Sequence, residues 1–464
     1  MGKAWDTRRP KRNLALQDEL VRAQVRAVGS SSPFWRQRFA DLGRSPRSVD
    51  GVGALAAVPA AGERDVSPTG DPAGMAGLVM QGGEKQFALH TSGPQLRRAI
   101  RLRITRSSDY QQIVDGETKP TAYSWAGLGF RYPIASTRGD LDVVARAGAR
   151  LWRVLGLDAD DALLSALPAA ATTEHVALQY AALAAGTPAL FPGDDIDDLV
   201  AAARLAPPTV LAVATPTATD VVHALGEASA LSRVTTVLLV GAPTADERSG
   251  VVRALRDAGT TNAAVLAVHA PTGARVMWGE CRESQGVTGL HTYPDLEVVQ
   301  TVDPETGDDT TAGSGGELVL TQLGMRGSAL LRWRTADLVE QVTSEPCPAC
   351  GRTSPRVTRL RREALVIGTN GGRFLDLRVL AGALAGRPEI TDWRVVLGGR
   401  RRDGRGQVVV HLQTAADPGD AAVGAAADLR AVGSRLPTQL VAATAEELNA
   451  LSGTPLTARV LERG

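Results

Sequence analysis

The chain has 464 residues, 44% of them hydrophobic and 22% charged, with 51 Lys and Arg against 50 Asp and Glu. That length exceeds one ordinary core, so at least two domains are expected; the near-balance of charge argues against nucleic acid or an anionic membrane as the main partner, and three cysteines suit a disulfide framework poorly. No apolar run is long enough to span a bilayer, and the basic start MGKAWDTRRPKRN has no apolar segment behind it, which predicts a cytoplasmic protein without a secretory signal.

Residues Leu14 to Leu42 read as helices: LQDELVRAQVRAV is amphipathic, and Ser30-Ser31-Ser32-Pro33 interrupts it with a helix-start signal. Phe34, Trp35 and Phe39 are expected in the core. The segment FALHTSGPQLRRAIRLRITRSSDY (Phe87 to Tyr110) places Thr91, Ser92 and Gly93 in a turn, with a strand expected over Ala99 to Thr105. LDVVARAGARLWRVL (Leu141 to Leu155) is a strongly amphipathic helix. From there apolar strands and helices alternate through AAVLAVHAP, a rhythm that predicts a parallel α/β sheet. His175 and His223 fall in the helical runs and are expected to be structural. The strand Ala263 to Ala267 ends in His269-Ala270-Pro271-Thr272-Gly273, and open α/β sheets place ligands at such strand ends.

Beyond that strand come Cys281 and His291, then Cys347 and Cys350 in a Cys-Pro-Ala-Cys turn. One tight turn supplies two thiolates, and Cys281 with His291 can supply two further ligands. Together they would fill a tetrahedral Zn²⁺ shell with no open position, a structural rather than a water-activating site. The alternative is a pair of reduced thiols in a loop beside an unrelated cysteine.

The run from Gly315 to Arg356, GGELVLTQLGMRGSALLRWRTADLVEQVTSEPCPACGRTSPR, has a distinctive order: an apolar strand, then Arg332-Trp333-Arg334-Thr335-Ala336-Asp337, then the cysteine clip and Gly-Arg-Thr-Ser-Pro-Arg. It resembles the phenylacetate–CoA ligase branch of the adenylate-forming enzymes. The resemblance implies an α/β fold, with a large N-terminal domain of sheets and helices (residues 1–360, carrying the zinc clip) and a small α+β C-terminal lid (residues 361–464). It implies an AMP-forming ligase that joins a small carboxylic acid to CoA using ATP and Mg²⁺. It also matches family members that carry a structural zinc.

Carried over residue by residue, the family's phosphate loop falls on Thr91, Ser92 and Gly93, with Arg97 where the family has Lys. Pro94 removes a backbone donor there. The family's Tyr-Gly-x-Ser/Thr-Glu segment falls on His269 to Gly273, with His269 in the adenine position, Thr272 in the phosphate position and Gly273 in place of the Mg²⁺-holding Glu. Asp337 matches the ribose-binding Asp, whose two oxygens can accept both ribose hydroxyls; Arg361 or Arg362 matches the hinge Arg. The lid lysine position is Leu456, and Lys3, Lys11, Lys85 and Lys119 are the chain's lysines, so residues 361–464 contain none.

Three functions therefore stand side by side. One is a divergent acyl- or aryl-CoA ligase. Another is a catalytically degenerate homologue that acts as a binding partner or subunit. The third is a changed reaction: acyl transfer that does not need ATP, or ATP-driven activation of an unusual acid. Each lost group is an electrostatic contribution of the kind worth ~100-fold in rate.

Overall fold

A computed structural model describes residues 4–67, 71–91, 93–127, 131–284, 288–303, 307–311, 315–358, 360, 366–369, 373–376, 384, 387, 389–398, 407–414, 438–450 and 460–462. Its contacts divide the chain into two units: Met1–Thr301 with Asp309–Thr335 and Val339–Arg361, and Arg362–Gly464 with Val302–Asp308 and Ala336–Leu338.

The first unit opens with α1 (Ala4–Thr7), α2 (Pro10–Ser31) and α3 (Pro33–Asp41). Ser32 ends α2 and accepts from the Trp35 backbone N–H to cap α3. Trp35 and Phe39 are buried, as their position on the apolar face predicts. A short α4 (Glu63–Val66) leads to α5 (Glu84–His90), α6 (Gly93–Ile104) and α7 (Asp109–Thr118). A hairpin follows, β1 (Pro120–Ala126) against β2 (Tyr132–Thr137).

Ala99 to Ile104 is therefore helix, not the expected strand. Arg-Leu-Arg-Ile alternates polar and apolar residues, which mimics a strand, but Ala99 is buried between half-buried Leu96 and Leu102, the three-residue spacing of a helix face. Pro94 lies in the first turn of α6, where a missing N–H leaves no helix bond unmade.

Helix α8 (Arg138–Leu155) starts with a capping box between Thr137 and Asp140 and stops at Gly156, which takes a left-handed φ of 68°. It packs on α9 (Thr173–Ala185). A Cβ at Gly148 would lie 2.4 Å from the Ala181 Cα, so only glycine permits this helix approach. The remaining helices of the unit are α10 (Ile196–Leu205), α11 (Ala218–Glu227) and α12 (Ala245–Asp257).

These helices flank strands β3 (Leu163–Ala166), β4 (Ala189–Leu190), β5 (Val210–Ala214), β6 (Thr236–Val240), β7 (Ala264–His269), β8 (Trp278–Glu280) and β9 (Leu290–His291). Further along lie β10 (Glu297–Val302), β11 (Gly316–Gln322), β12 (Trp333–Val339), β13 (Gln341–Thr343) and β14 (Arg356–Thr358). Nine of them form one sheet in the order β13-β14-β9-β8-β7-β6-β5-β3-β4. From β4 to β7 the pairing is parallel; from β7 to β13 it is antiparallel. The parallel sheet expected from the β-α rhythm is thus half of a mixed one. β10, β11 and β12 make a separate three-stranded sheet.

The second unit holds a hairpin of β15 (Val366–Thr369) and β16 (Arg373–Asp376). It also holds a four-stranded sheet of β17 (Ile390–Gly398), β18 (Gln407–Thr414), β19 (Thr438–Ala442) and β20 (Val460–Glu462), in the order β19-β18-β17-β20. With α13 (Ala445–Ala450) this unit is α+β. Among the described residues no helix is long and apolar enough to cross a membrane.

Candidate functional site

The best-formed site lies in the antiparallel half of the large sheet. Cys281 directly follows β8, His291 ends β9, and Cys347 and Cys350 sit in the turn between β13 and β14. Because β8, β9 and β14 are neighbours in the sheet, the pairing brings three distant stretches of sequence together. One ligand atom from each of the four residues lies within 4.8 Å of every other. Cys281 Sγ is 3.8 Å from Cys347 Sγ, and Cys350 Sγ is 3.5 Å from His291 Nε2. Two thiolates on one tetrahedral Zn²⁺, each ~2.3 Å from it, stand roughly 3.8 Å apart, so the donors fit that ion.

The surroundings prepare the same set. Ser354 Oγ is 3.0 Å from His291 Nδ1 and orients the ring so that Nε2 faces the thiols. Burial, with Arg352 and Arg356 nearby, pushes the His291 pKa down to about 3, leaving the imidazole neutral. Burial pushes the Cys281 thiol up to about 12, helped by the charges of Cys350 and Cys347. Burial opposes ionisation of Cys347 too, but hydrogen bonds from the Cys350 backbone N–H, Thr288, the Ala349 backbone N–H and the Cys350 side chain together outweigh it and bring that thiol to about 7. Three thiolates this close repel one another, and a cation between them is what would let all three ionise. Ser354 and Thr288, whose Oγ1 is 3.8 Å from Cys281 Sγ, bear no mark in the sequence.

The positions assigned to nucleotide are arranged differently. Thr91 caps the C-terminal end of α5; Gly93 and Arg97 belong to α6, with Arg97 exposed. Thr91 also lines a small surface depression with Gln86, Phe87, Thr118 and Arg326. Ser92 and Arg362 lie outside the described residues.

His269 ends β7, fully buried, with its ring 6.5 Å from that of Trp278. Thr272 is buried just beyond it. Gly273 has φ +77°, and a Cβ there would meet Leu330 Cδ1 at 3.3 Å and both Trp333 Nε1 and Tyr132 Oη at 3.4 Å. Leu330, Trp333 and Tyr132 thus line the position. Glu280, the nearest acid in sequence, accepts from Arg248 Nη2 at 2.9 and 3.0 Å and from the Ala267 N–H at 2.7 Å. Asp337 is fully buried in β12, after Ala336 at a left-handed φ of 56°. The arginines before it are committed: Arg332 to Asp309 at 2.6 and 3.2 Å, and Arg334 Nε to Glu317 at 2.8 Å.

A buried network near β7 was not legible in the sequence. Asp140 accepts from the backbone N–H groups of Arg326 and Gly327, both at 2.7 Å, and pairs with Arg275 at 3.1 Å. Arg275 also donates to the Ala135 carbonyl at 2.8 Å and to Gln322 at 3.1 Å. The Thr-Arg-Gly-Asp cap of α8 was its one visible sign.

No protein-family profile matches the chain. Over 78 residues it is 40% identical to a phenylacetate–coenzyme A ligase of Thermus thermophilus, a match spanning 17% of either chain. A crystal structure of 2-hydroxyisobutyryl-CoA ligase in the postadenylation state, in complex with 2-HIB-AMP, superposes over 99% of this chain and 91% of that one, with a TM-score of 0.65 at 16% identity. This chain has the fold of that CoA ligase, and over the 78 matched residues it resembles a phenylacetate–coenzyme A ligase. An open conformation of the same 2-hydroxyisobutyryl-CoA ligase, in complex with 2-HIB-AMP and CoA, matches with a TM-score of 0.63. Those likenesses carry the fold. The chain spans about a sixth of the length of that Thermus thermophilus relative.

Proposed function

We propose that this chain is a catalytically degenerate adenylate-forming homologue, held by a structural zinc and working as a binding partner or subunit rather than as a self-sufficient ATP-dependent ligase. The observation that carries this reading is Gly273. Glycine offers Mg²⁺ no carboxylate there, and on its left-handed backbone a Cβ would press on Leu330, Trp333 and Tyr132 at 3.3 to 3.4 Å. Three further features support it. Helix occupies Gly93 and Arg97, where a glycine-rich loop would cradle phosphate. Arg248 holds Glu280. No lysine occurs beyond Lys119.

Zinc in this proposal is a staple. Cys281, His291, Cys347 and Cys350 would hold it, leaving no position for a reactive water. Its binding energy becomes folding energy for β8, β9 and the clip.

A second reading, an AMP-forming acid–CoA ligase, is favoured by one specific observation. The fold match to a ligase in complex with an acyl-adenylate runs over nearly the whole chain, and His269, Thr272 and Asp337 remain in family order. On that reading the substrates are a small carboxylic acid, ATP with Mg²⁺, and CoA. Acid-dependent exchange of labelled pyrophosphate into ATP separates the two. The degenerate reading predicts no exchange above background across aryl and short aliphatic acids, while exchange with any of them establishes the ligase.

A further inference from the structure

We propose that the outer face of α6 docks a second copy of this chain, taking the acidic start of the partner copy's α10. At 100° per residue, Ile100, Ile104, Arg97, Arg101 and Arg98 share a continuous arc of roughly 160°. All five are exposed, Ile100 by 48% and Ile104 by 76%. The opposite side of α6 is already used: Ala99 packs with Phe87 and Val114, and Arg103 pairs with Glu84 at 2.9 Å and lies 5.7 Å over Tyr110. Among the described residues, no carboxylate pairs with Arg97, Arg98 or Arg101. The outer face is thus two aliphatic side chains bordered by three uncompensated guanidinium groups.

The same chain presents the inverse pattern. Asp194, Asp195, Ile196, Asp197 and Asp198 are all exposed, and Ile196 stands out by 36%. Asp195 fixes the shape of this turn by accepting from the backbone N–H groups of Asp197 and Asp198 at 3.0 and 3.2 Å. No cation pairs with Asp194, Asp197 or Asp198 among the described residues. In a chain carrying 51 basic and 50 acidic side chains, neither patch is a by-product of overall charge. Each is an aliphatic point ringed by one sign, and the signs are opposite.

A two-fold pairing would use both patches of both copies at once, giving two identical contacts. Single exposed ion pairs are weak, so the association depends on several acting together and on the isoleucines between them, and it weakens with salt. Two exposed isoleucines offer far less apolar area than a membrane-surface helix buries, which favours a protein partner over lipid.

Sedimentation velocity of the full chain tests this at about 50 mM and at about 500 mM salt. A dimer is expected at low salt and monomer at high salt. The double variants Arg97→Glu/Arg101→Glu and Asp194→Lys/Asp197→Lys are each expected to be monomeric at low salt with unchanged thermal melts. Mixed one to one, they are expected to regain the dimer, because each altered patch then meets its complement. Monomer under all conditions overturns the proposal, as does a dimer indifferent to salt and to both variants. Co-sedimentation of a monomeric chain with phosphatidylglycerol vesicles, lost in Arg97→Glu/Arg101→Glu, would give the face to lipid and overturn it as well.

Discussion

Trp333 Nε1 stands 3.4 Å from the point where a Cβ on Gly273 would sit. Leu330 Cδ1 and Tyr132 Oη lie at 3.3 and 3.4 Å from the same point. A side chain here must also accept φ +77°, a strain of about 1–2 kcal/mol for a residue with a Cβ. Gly273→Glu is therefore expected to lower the melting temperature by several degrees without conferring any response to Mg·ATP. A variant as stable as the parent and newly stabilised by Mg·ATP would show that the position is still a working metal ligand.

The clip makes a second prediction. Cys347→Ala removes one of four donors, and zinc content measured by elemental analysis should fall from near one equivalent to less than about a tenth. The melting temperature should fall with it, and proteolysis should open the 281–350 region first. Parent protein purified without chelator and lacking zinc would contradict the assignment of Cys281, His291, Cys347 and Cys350.

Arg275 and Asp140 form a fully buried pair. Arg275→Met strands the Asp140 carboxylate with backbone donors alone. Breaking such a pair on one side typically costs about 3–5 kcal/mol, so the urea midpoint should drop sharply. Asp140→Asn should be similarly damaging, since its amide must replace an acceptor shared by Arg275, Arg326 and Gly327. A midpoint unchanged in both variants would remove the network from the list of features that hold the β7 region.

Glu297 predicts a pH dependence. Burial raises its pKa from 4.5 to about 8, with Asp295 adding to the rise, while the Tyr293 N–H, the Trp278 indole and Arg150 oppose it. The folded chain thus keeps a proton that the unfolded chain gives up. The stabilisation is complete below the unfolded value near 4.5 and is lost as pH rises through about 8. Glu297→Gln preserves an acceptor for Trp278 and Tyr293 and cannot ionise. Its stability relative to the parent should grow between pH 5 and pH 8.5, read as the difference in urea midpoints; a constant difference would place the Glu297 pKa in the ordinary range.

How far these features could be read in advance depends on how local their cause is. The quartet was legible because a Cys-x-x-C turn, a lone cysteine and a histidine appear in order, and ligand chemistry constrains both identity and number. Helix α8 was legible over Leu141 to Leu155 because its apolar face lies within one stretch, whereas its start at Arg138 depends on the Thr137–Asp140 capping box, which was not read. Helix α6 was misread because Arg-Leu-Arg-Ile-Thr satisfies both the two-residue and the helical period, and burial of Ala99 decided between them. The antiparallel half of the sheet escaped notice because β8, β9, β13 and β14 run only two or three residues each, too short for a period to emerge. Substitutions at Gly273 and Leu456 were visible as letters. What fills the space beside Gly273 was not, since Tyr132, Leu330 and Trp333 come from remote segments.

The most direct test of the whole account is a thermal-shift titration of the purified chain with Mg·ATP up to millimolar concentration. A bound nucleotide at a hundredfold excess over its Kd stabilises by about 2.7 kcal/mol, a shift easily seen. The account predicts no shift beyond that of Mg²⁺ alone. A saturable shift that is lost in Asp337→Ala would show that the chain still binds ATP in the family manner and would contradict it.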